Sequence, residues 1–134
     1  MTIKNNDNRI TYLDQIRKIT QESQEILVID FSGSKEKQMM ELISKGRALL
    51  IREQRPQKVM AIFNNKNFIT PTFMRHFESD QREAIVFITK QATVGLTVPQ
   101  KMILKGYNVF QNRDIKTFDA VEEAMKYLLE TEEK

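Results

Sequence analysis

EILVIDFSGSKEKQMMELI, Glu25 to Ile43, passes from an apolar, β-branched run through one glycine and two serines into a run with helical spacing. Its first part, EILVIDF (Glu25–Phe31), is apolar at nearly every position instead of at alternate ones, the pattern of a strand buried on both faces. In the second part Met39, Leu42, Ile43, Leu49 and Leu50 recur three and four residues apart and share one side of a helix. Gly33 turns the chain between the two, and Ser34 is placed to cap the helix. Gly46 falls inside the helical pattern, where it costs roughly 1 kcal/mol against alanine. Close packing of helix on sheet would account for it. The helix ends at REQRPQK, near Pro56.

The alternation then repeats. KVMAIF (Lys58–Phe63) reads as a second buried strand, followed by the polar turn NNKN. Thr70-Pro71 opens a helix, with proline in the first turn where its missing N–H costs nothing, and Phe73, Phe77, Ala84 and Ile88 line one side. AIVFI (Ala84–Ile88) fits a strand as well, so the spacing leaves the end of this helix open. ATVGLT (Ala92–Thr97) reads as a short strand. In TVPQKMILKGYNVF, Thr97 and Gln100 have capping-box spacing. IKTFD (Ile115–Asp119) is a short strand, after which Asp119 and Glu122 are placed to cap a last helix carrying Val121, Met125, Leu128 and Leu129 inward. Strands separated by helices of this length imply an α/β domain with mostly parallel pairing. RITYLDQIRKITQ stays ambiguous: Ile10, Tyr12 and Leu13 allow a strand, and Leu13, Ile16 and Ile19 allow a helix.

Composition narrows the chemistry. The 134 residues suit one domain, and with no cysteine there is no disulfide, thiolate nucleophile or cysteine zinc site. His76 is the single histidine, so a histidine metal cluster is excluded within one chain. It sits four residues before Asp80, a carboxylate with which it could act as a base. Apolar runs such as AIVFI are far short of the roughly 20 residues that span a bilayer. The polar start MTIKNNDNR lacks the apolar core of a signal peptide, so the chain reads as cytoplasmic. Residues 119–134 hold six acids and two bases; residues 1–118 hold 19 bases and 12 acids. The basic excess is read as a solvated face. It lacks the aromatic-and-basic strands of a single-strand binder, so nucleic acid is not expected as a partner.

The succession ILVIDFSGSKEKQMMELI, KVMAIFNNKNFITPTFMRHF, ATVGLTVPQKMILKGYNVF and FDAVEEAMKYLL resembles the SpoIIAA-like family, related to the STAS domains of anti-sigma-factor antagonists, and within it a bacterial branch. The resemblance is strongest over 25–129. It implies one STAS-like domain over 1–134, with residues 1–9 disordered. Its fold would be a mixed, mostly parallel sheet of about five strands with helices packed mainly on one face. Its first strand would run antiparallel to its neighbour, which turns Ile10–Ile19 toward strand. In function it implies a non-enzymatic regulatory or protein-interaction module, without cofactor or metal, whose partner is a regulatory protein.

In phosphoregulated STAS proteins the turn after the third strand reads Asp-Ser-Ser-Gly, and the second serine accepts the phosphate. Thr72 falls at that position here, while Thr70 replaces the Asp, Pro71 the first Ser and Phe73 the Gly. Phosphate on Thr72 would bring close to two negative charges into a first helical turn. Thr70 and Thr72 are therefore the candidates for a partner-facing, regulated turn. Read from residue type alone, Thr70 is a helix cap.

Two further stretches are candidates. Gly33 and Ser34 lie where a helix N-terminus can hold an anion, but one glycine without a G-x-x-x-x-G-K-[ST] spacing argues for a plain turn. Gly95 in a strand and Gly106 in a helix mark places where glycine permits close approach of another backbone or a ligand. Around them Pro99, Lys101, Lys105 and Tyr107 suggest an apolar pocket rimmed by lysines, suited to a small amphipathic or lipid-like anion as in Sec14-type domains. The plainer reading has Met102, Ile103, Tyr107 and Phe110 as core packing. A homodimer through a sheet edge or helix face also fits.

Overall fold

The structure, a computed structural model, describes residues 15–64 and 66–130, with the backbone alone at 80 and 81. The segment expected to be disordered, 1–9, and the strand expectation for 10–14 lie outside the described residues. Five strands form one sheet in sequence order: β1 (Ile16–Gln21), β2 (Gln24–Asp30), β3 (Gln57–Ile62), β4 (Ile88–Val94) and β5 (Lys116–Phe118). β1 is antiparallel to β2, and all other pairs are parallel. Among the described residues four α-helices follow β2 to β5 in turn: α1 (Glu36–Glu53), α2 (Pro71–Ala84), α3 (Val98–Gln111) and α4 (Val121–Leu129). The α/β class and the mixed, mostly parallel sheet are as the sequence implies.

β2 is apolar throughout because both of its faces are covered. Leu27 and Ile29 pack with Met39, Leu42, Ile43 and Leu50 of α1 and with Phe73 and Ala84 of α2. Ile26 and Val28 point the other way, to Met60, Ala92 and Val94 of the sheet and to Ala124, Leu128 and Leu129 of α4. Helices α1 and α2 thus share one face, where Tyr107 of α3 meets Phe77 of α2, and among the described residues α4 covers the other. Gly46 is explained as expected: a Cβ there would lie 2.6 Å from Ile29 Cδ1.

Several local expectations are corrected. Ile88 is not on a helix; α2 stops at Ala84, a 3-10 turn covers Ile85–Phe87, and Ile88 starts β4. β4 consequently ends at Val94, and Gly95 lies just beyond the strand with φ +89. Ser34 does not cap α1. The N-cap is Lys35, without a side-chain bond, and the buried Ser34 hydroxyl accepts from Gln15 Nε2 at 3.0 Å. Asp119 and Glu122 do not cap α4, whose N-cap is Ala120; Asp119 pairs instead with Lys101 at 3.0 Å. Val121, expected inward, is 39% exposed. The capping box of Thr97 and Gln100 is present, and Thr70 Oγ1 accepts from the Phe73 N–H at 3.0 Å as a cap should.

The hairpin joining β1 to β2 turns on Glu22 and Ser23, both at positive φ, between the paired Gln21 and Gln24. Two central residues at positive φ match the twist of the strands they join.

Candidate functional site

The turns that follow the parallel strands, and the helix N-termini they lead into, gather along one edge of the sheet. In open α/β sheets binding sites form outside the carboxyl ends of the strands, at points where the strand order reverses; here the strands run in sequence order and show no such reversal. The edge is tied together by two asparagines from the NNKN turn. Asn67, 2% exposed, donates through Nδ2 to the carbonyls of Phe31 (2.9 Å) and Ser34 (2.8 Å). Its Oδ1 accepts from the Asn64 N–H at 2.8 Å, and its own carbonyl accepts from Gln100 Nε2 at 2.9 Å. Asn64 Oδ1 in turn accepts from the N–H groups of Gly33 and Lys66, each at 3.0 Å. Three turns, those after β2, β3 and β4, are held in one network.

This network answers the question of the Gly33–Ser34 turn. The N–H of Ser32 donates to Asp30 Oδ1 (3.0 Å), that of Gly33 to Asn64, and that of Ser34 to the Phe31 carbonyl (2.9 Å). All three are committed within the chain, and the nearest carboxylate, Asp30, is of the wrong sign for an anion. The turn redirects the chain.

Immediately after Asn67, Phe68 stands 76% exposed. Two residues further on, Thr70 is half-buried, and its hydroxyl donates to the Glu36 carboxylate while it caps α2. Thr72 is exposed in the first turn of α2, with Arg75 Nη2 3.4 Å from its Oγ1. Thr70 is thus engaged in structure and Thr72 presents its hydroxyl outward. A phosphoryl group on Thr72 would have a guanidinium one turn away and the helix N-terminus beneath it.

The second group of candidates is dispersed. Gly95 cannot be substituted without clash, since an added Cβ would run into the Phe63 carbonyl. Pro99 is exposed, Lys101 is held by Asp119, and Lys105 is exposed, with no ion pair among the described residues. Tyr107 is buried against Phe77, ring centroids 5.3 Å apart. Burial pushes its phenol above the usual range, against the opposing pull of Arg113. A cavity of about 50 Å³ does lie under α2 and α3, but none of these five residues lines it. Phe31, Phe63, Phe73 and Phe77 do, with Gln91, Thr93 and Gln100 as its polar groups and no ionisable side chain. Ligand pockets run to about 300–1,000 Å³, so an acyl chain has no room in this one.

The apolar stripe of α3 is turned the other way from the core reading. Tyr107 goes inward and Ile103, 42% exposed, borders the cavity, whereas Met102 and Phe110 are 69 and 89% exposed. His76 is half-buried on α2, and the side chain of Asp80, its proposed partner, lies outside the described residues. Among the described residues no group of three or more His, Cys, Asp or Glu side chains is placed to hold a metal, and no helix is long and apolar enough to cross a membrane. The parts of the candidate site that sequence reasoning missed are Asn64, Asn67 and Phe68. The one signal for them is a turn with three asparagines, more than chain reversal needs.

No protein-family model matches this chain, no curated protein matches it, and no solved structure matches it.

Proposed function

We propose that this chain is a cytoplasmic, non-enzymatic protein-interaction module of the SpoIIAA-like, STAS-related kind. It docks a regulatory partner through the turn from Phe68 to Thr72. The observation that carries the reading is Phe68, a large apolar side chain three-quarters exposed directly after Asn67, which is buried and held by hydrogen bonds through its side chain and its carbonyl. A rigid backbone holding out an aromatic side chain is how interface anchors are presented, because little ordering entropy is lost on docking. Thr72, exposed beside it with Arg75 in reach, supplies a place for phosphorylation to change that surface by charge alone. The fold that this resemblance implies, an antiparallel first strand followed by parallel strands, is consistent with the sheet observed.

Affinity capture from the native host tests the reading, with wild type beside Phe68→Ser and Thr72→Glu. A partner retained by wild type and lost from both variants is the expected result. Capture indifferent to both substitutions would sink it. Intact mass on the same preparations reads phosphorylation, and native mass spectrometry would reveal a small ligand if the amphipathic-ligand alternative holds.

A further inference from the structure

We propose that the outward face of α3 docks an amphipathic helix of the partner, one that sets a small residue over Gly106 and acidic side chains along the Lys101–Lys105 flank. The inference rests on the interaction-module reading and adds a place and a chemistry to it.

Gly106 is exposed in mid-helix, and a Cβ added to it meets nothing within 4 Å. Gly46 is glycine because Ile29 crowds it; nothing among the described residues asks the same of Gly106, although glycine is a poor helix former. Its four neighbours on the helix surface, three and four residues before and after, are Met102, Ile103, Val109 and Phe110. They are 69, 42, 78 and 89% exposed, and Val98, a turn before Met102, is 70% exposed. Bare backbone ringed by large apolar side chains forms a hollow in which a second helix can seat its backbone or a short side chain.

Charge selects the occupant. α3 contains no acid, and Lys101 and Lys105 lie along one flank while Ile103 and Phe110 form the other. Lys101 is already bonded to Asp119, so Lys105 is the cation left for a partner's carboxylate. A second copy fits poorly: antiparallel two-fold pairing of α3 with itself sets one lysine flank beside the other, parallel pairing sets each against the uncharged Ile103–Phe110 flank, and neither brings an acid. The face is also short. Its 14 residues make about 21 Å of helix. A strip of that length on the order of 10 Å wide is about a quarter of the roughly 800 Å² each side of a stable dimer buries. A lipid surface gains nothing from a glycine at the centre of the patch.

The test is a display library of single-helix peptides, randomised over their surface, selected against the full chain and then measured on Gly106→Leu, Lys105→Glu and Phe68→Ser. Circular dichroism and thermal melting confirm that each variant is folded. The expected binders carry Gly, Ala or Ser within an apolar stripe and Glu or Asp along one flank. Gly106→Leu weakens them on the order of tenfold or more, and Lys105→Glu abolishes the preference for an acidic flank. Binders indifferent to Gly106→Leu, or without an acidic flank, overturn the proposal. Binders lost on Phe68→Ser alone overturn it and leave the module reading standing; failure to enrich any binder counts against both. Self-association or liposome binding that disappears with Gly106→Leu assigns the face to another copy or to lipid, and overturns it as well.

Discussion

The side-chain amide of Asn67 reaches across 36 residues of sequence to the carbonyl of Phe31, 2.9 Å away, so that the turn after β3 supports the turn after β2 from within. Phe31 itself stacks on Phe63, ring centroids 4.8 Å apart, at the end of β3. Removing the amide leaves the Phe31 and Ser34 carbonyls and the Asn64 N–H without this partner. Asn67→Ala is therefore expected to destabilise by about 3 kcal/mol in urea unfolding. Asn67→Asp is expected to fare no better at neutral pH, because a carboxylate cannot donate to those carbonyls. Wild-type stability in either variant would remove the network from the account of the site.

Two glycines should respond in opposite directions to the same change. Gly95→Ala must take φ +89 and place its methyl against the Phe63 carbonyl, so a loss of about 2 kcal/mol or more is expected. Gly106→Ala fills open space on an exposed helix and should raise stability by about 1 kcal/mol. Thermal melting of the two variants beside wild type checks both.

What the sequence revealed and what it hid have physical reasons. β2 was legible because a strand covered on both faces has to be apolar without interruption. Ile88 was not, since five apolar residues in a row carry no period, and only the sheet decides between helix and strand. In β1, Ile16 packs toward α1 and Ile19 toward α4, on opposite faces, yet their spacing of three imitates a helix. The turn at Glu22–Ser23 gave no Asn-Gly signal to resolve it. For the site, the turn bearing Thr70 and Thr72 was found from residue type and resemblance, whereas Asn67 reads as an exposed turn residue until its partners, distant in sequence, are in place. α3 shows a third limit. Its spacing says helix, but apolar residues occupy so much of its circumference that only the fold shows which of them face out.

Acid should loosen the packing of α1 on the hairpin. Glu53, near the end of α1, has its carboxyl held below the usual 4.5, chiefly by the hydrogen bond from Lys18 of β1, with burial opposing and Arg55 assisting. A folded value lower than the unfolded one means the contact stabilises above about pH 4.5 and is lost as pH falls through the depressed folded value. Lys18→Met should lower neutral-pH stability by no more than about 1 kcal/mol, the pair being partly exposed. It should also make stability less steep in pH below 4.5. Urea midpoints between neutral pH and pH 3 give the comparison, and parallel curves would contradict it.

The two threonines of the candidate turn should separate cleanly. Thr70→Ala loses the α2 cap and the bond to Glu36 and is expected to cost about 1–2 kcal/mol. Thr72→Ala removes an exposed hydroxyl with only a long contact to Arg75 and should stay within about 0.5 kcal/mol. A partner whose binding follows Thr72 and not global stability would then be reading the surface.

The placement of α4 has a consequence for synthesis on the ribosome. Every strand pairs with the strand made just before it, so the sheet can grow in the order in which it is translated. The helix that covers Ile26, Val28, Met60, Ala92 and Val94, however, follows all five strands. A nascent chain released or stalled after β5 presents that apolar sheet face without α4. Chaperones and proteases would meet such an intermediate with its hydrophobic side open, and the time it spends so is set by how quickly residues 121–129 leave the exit tunnel.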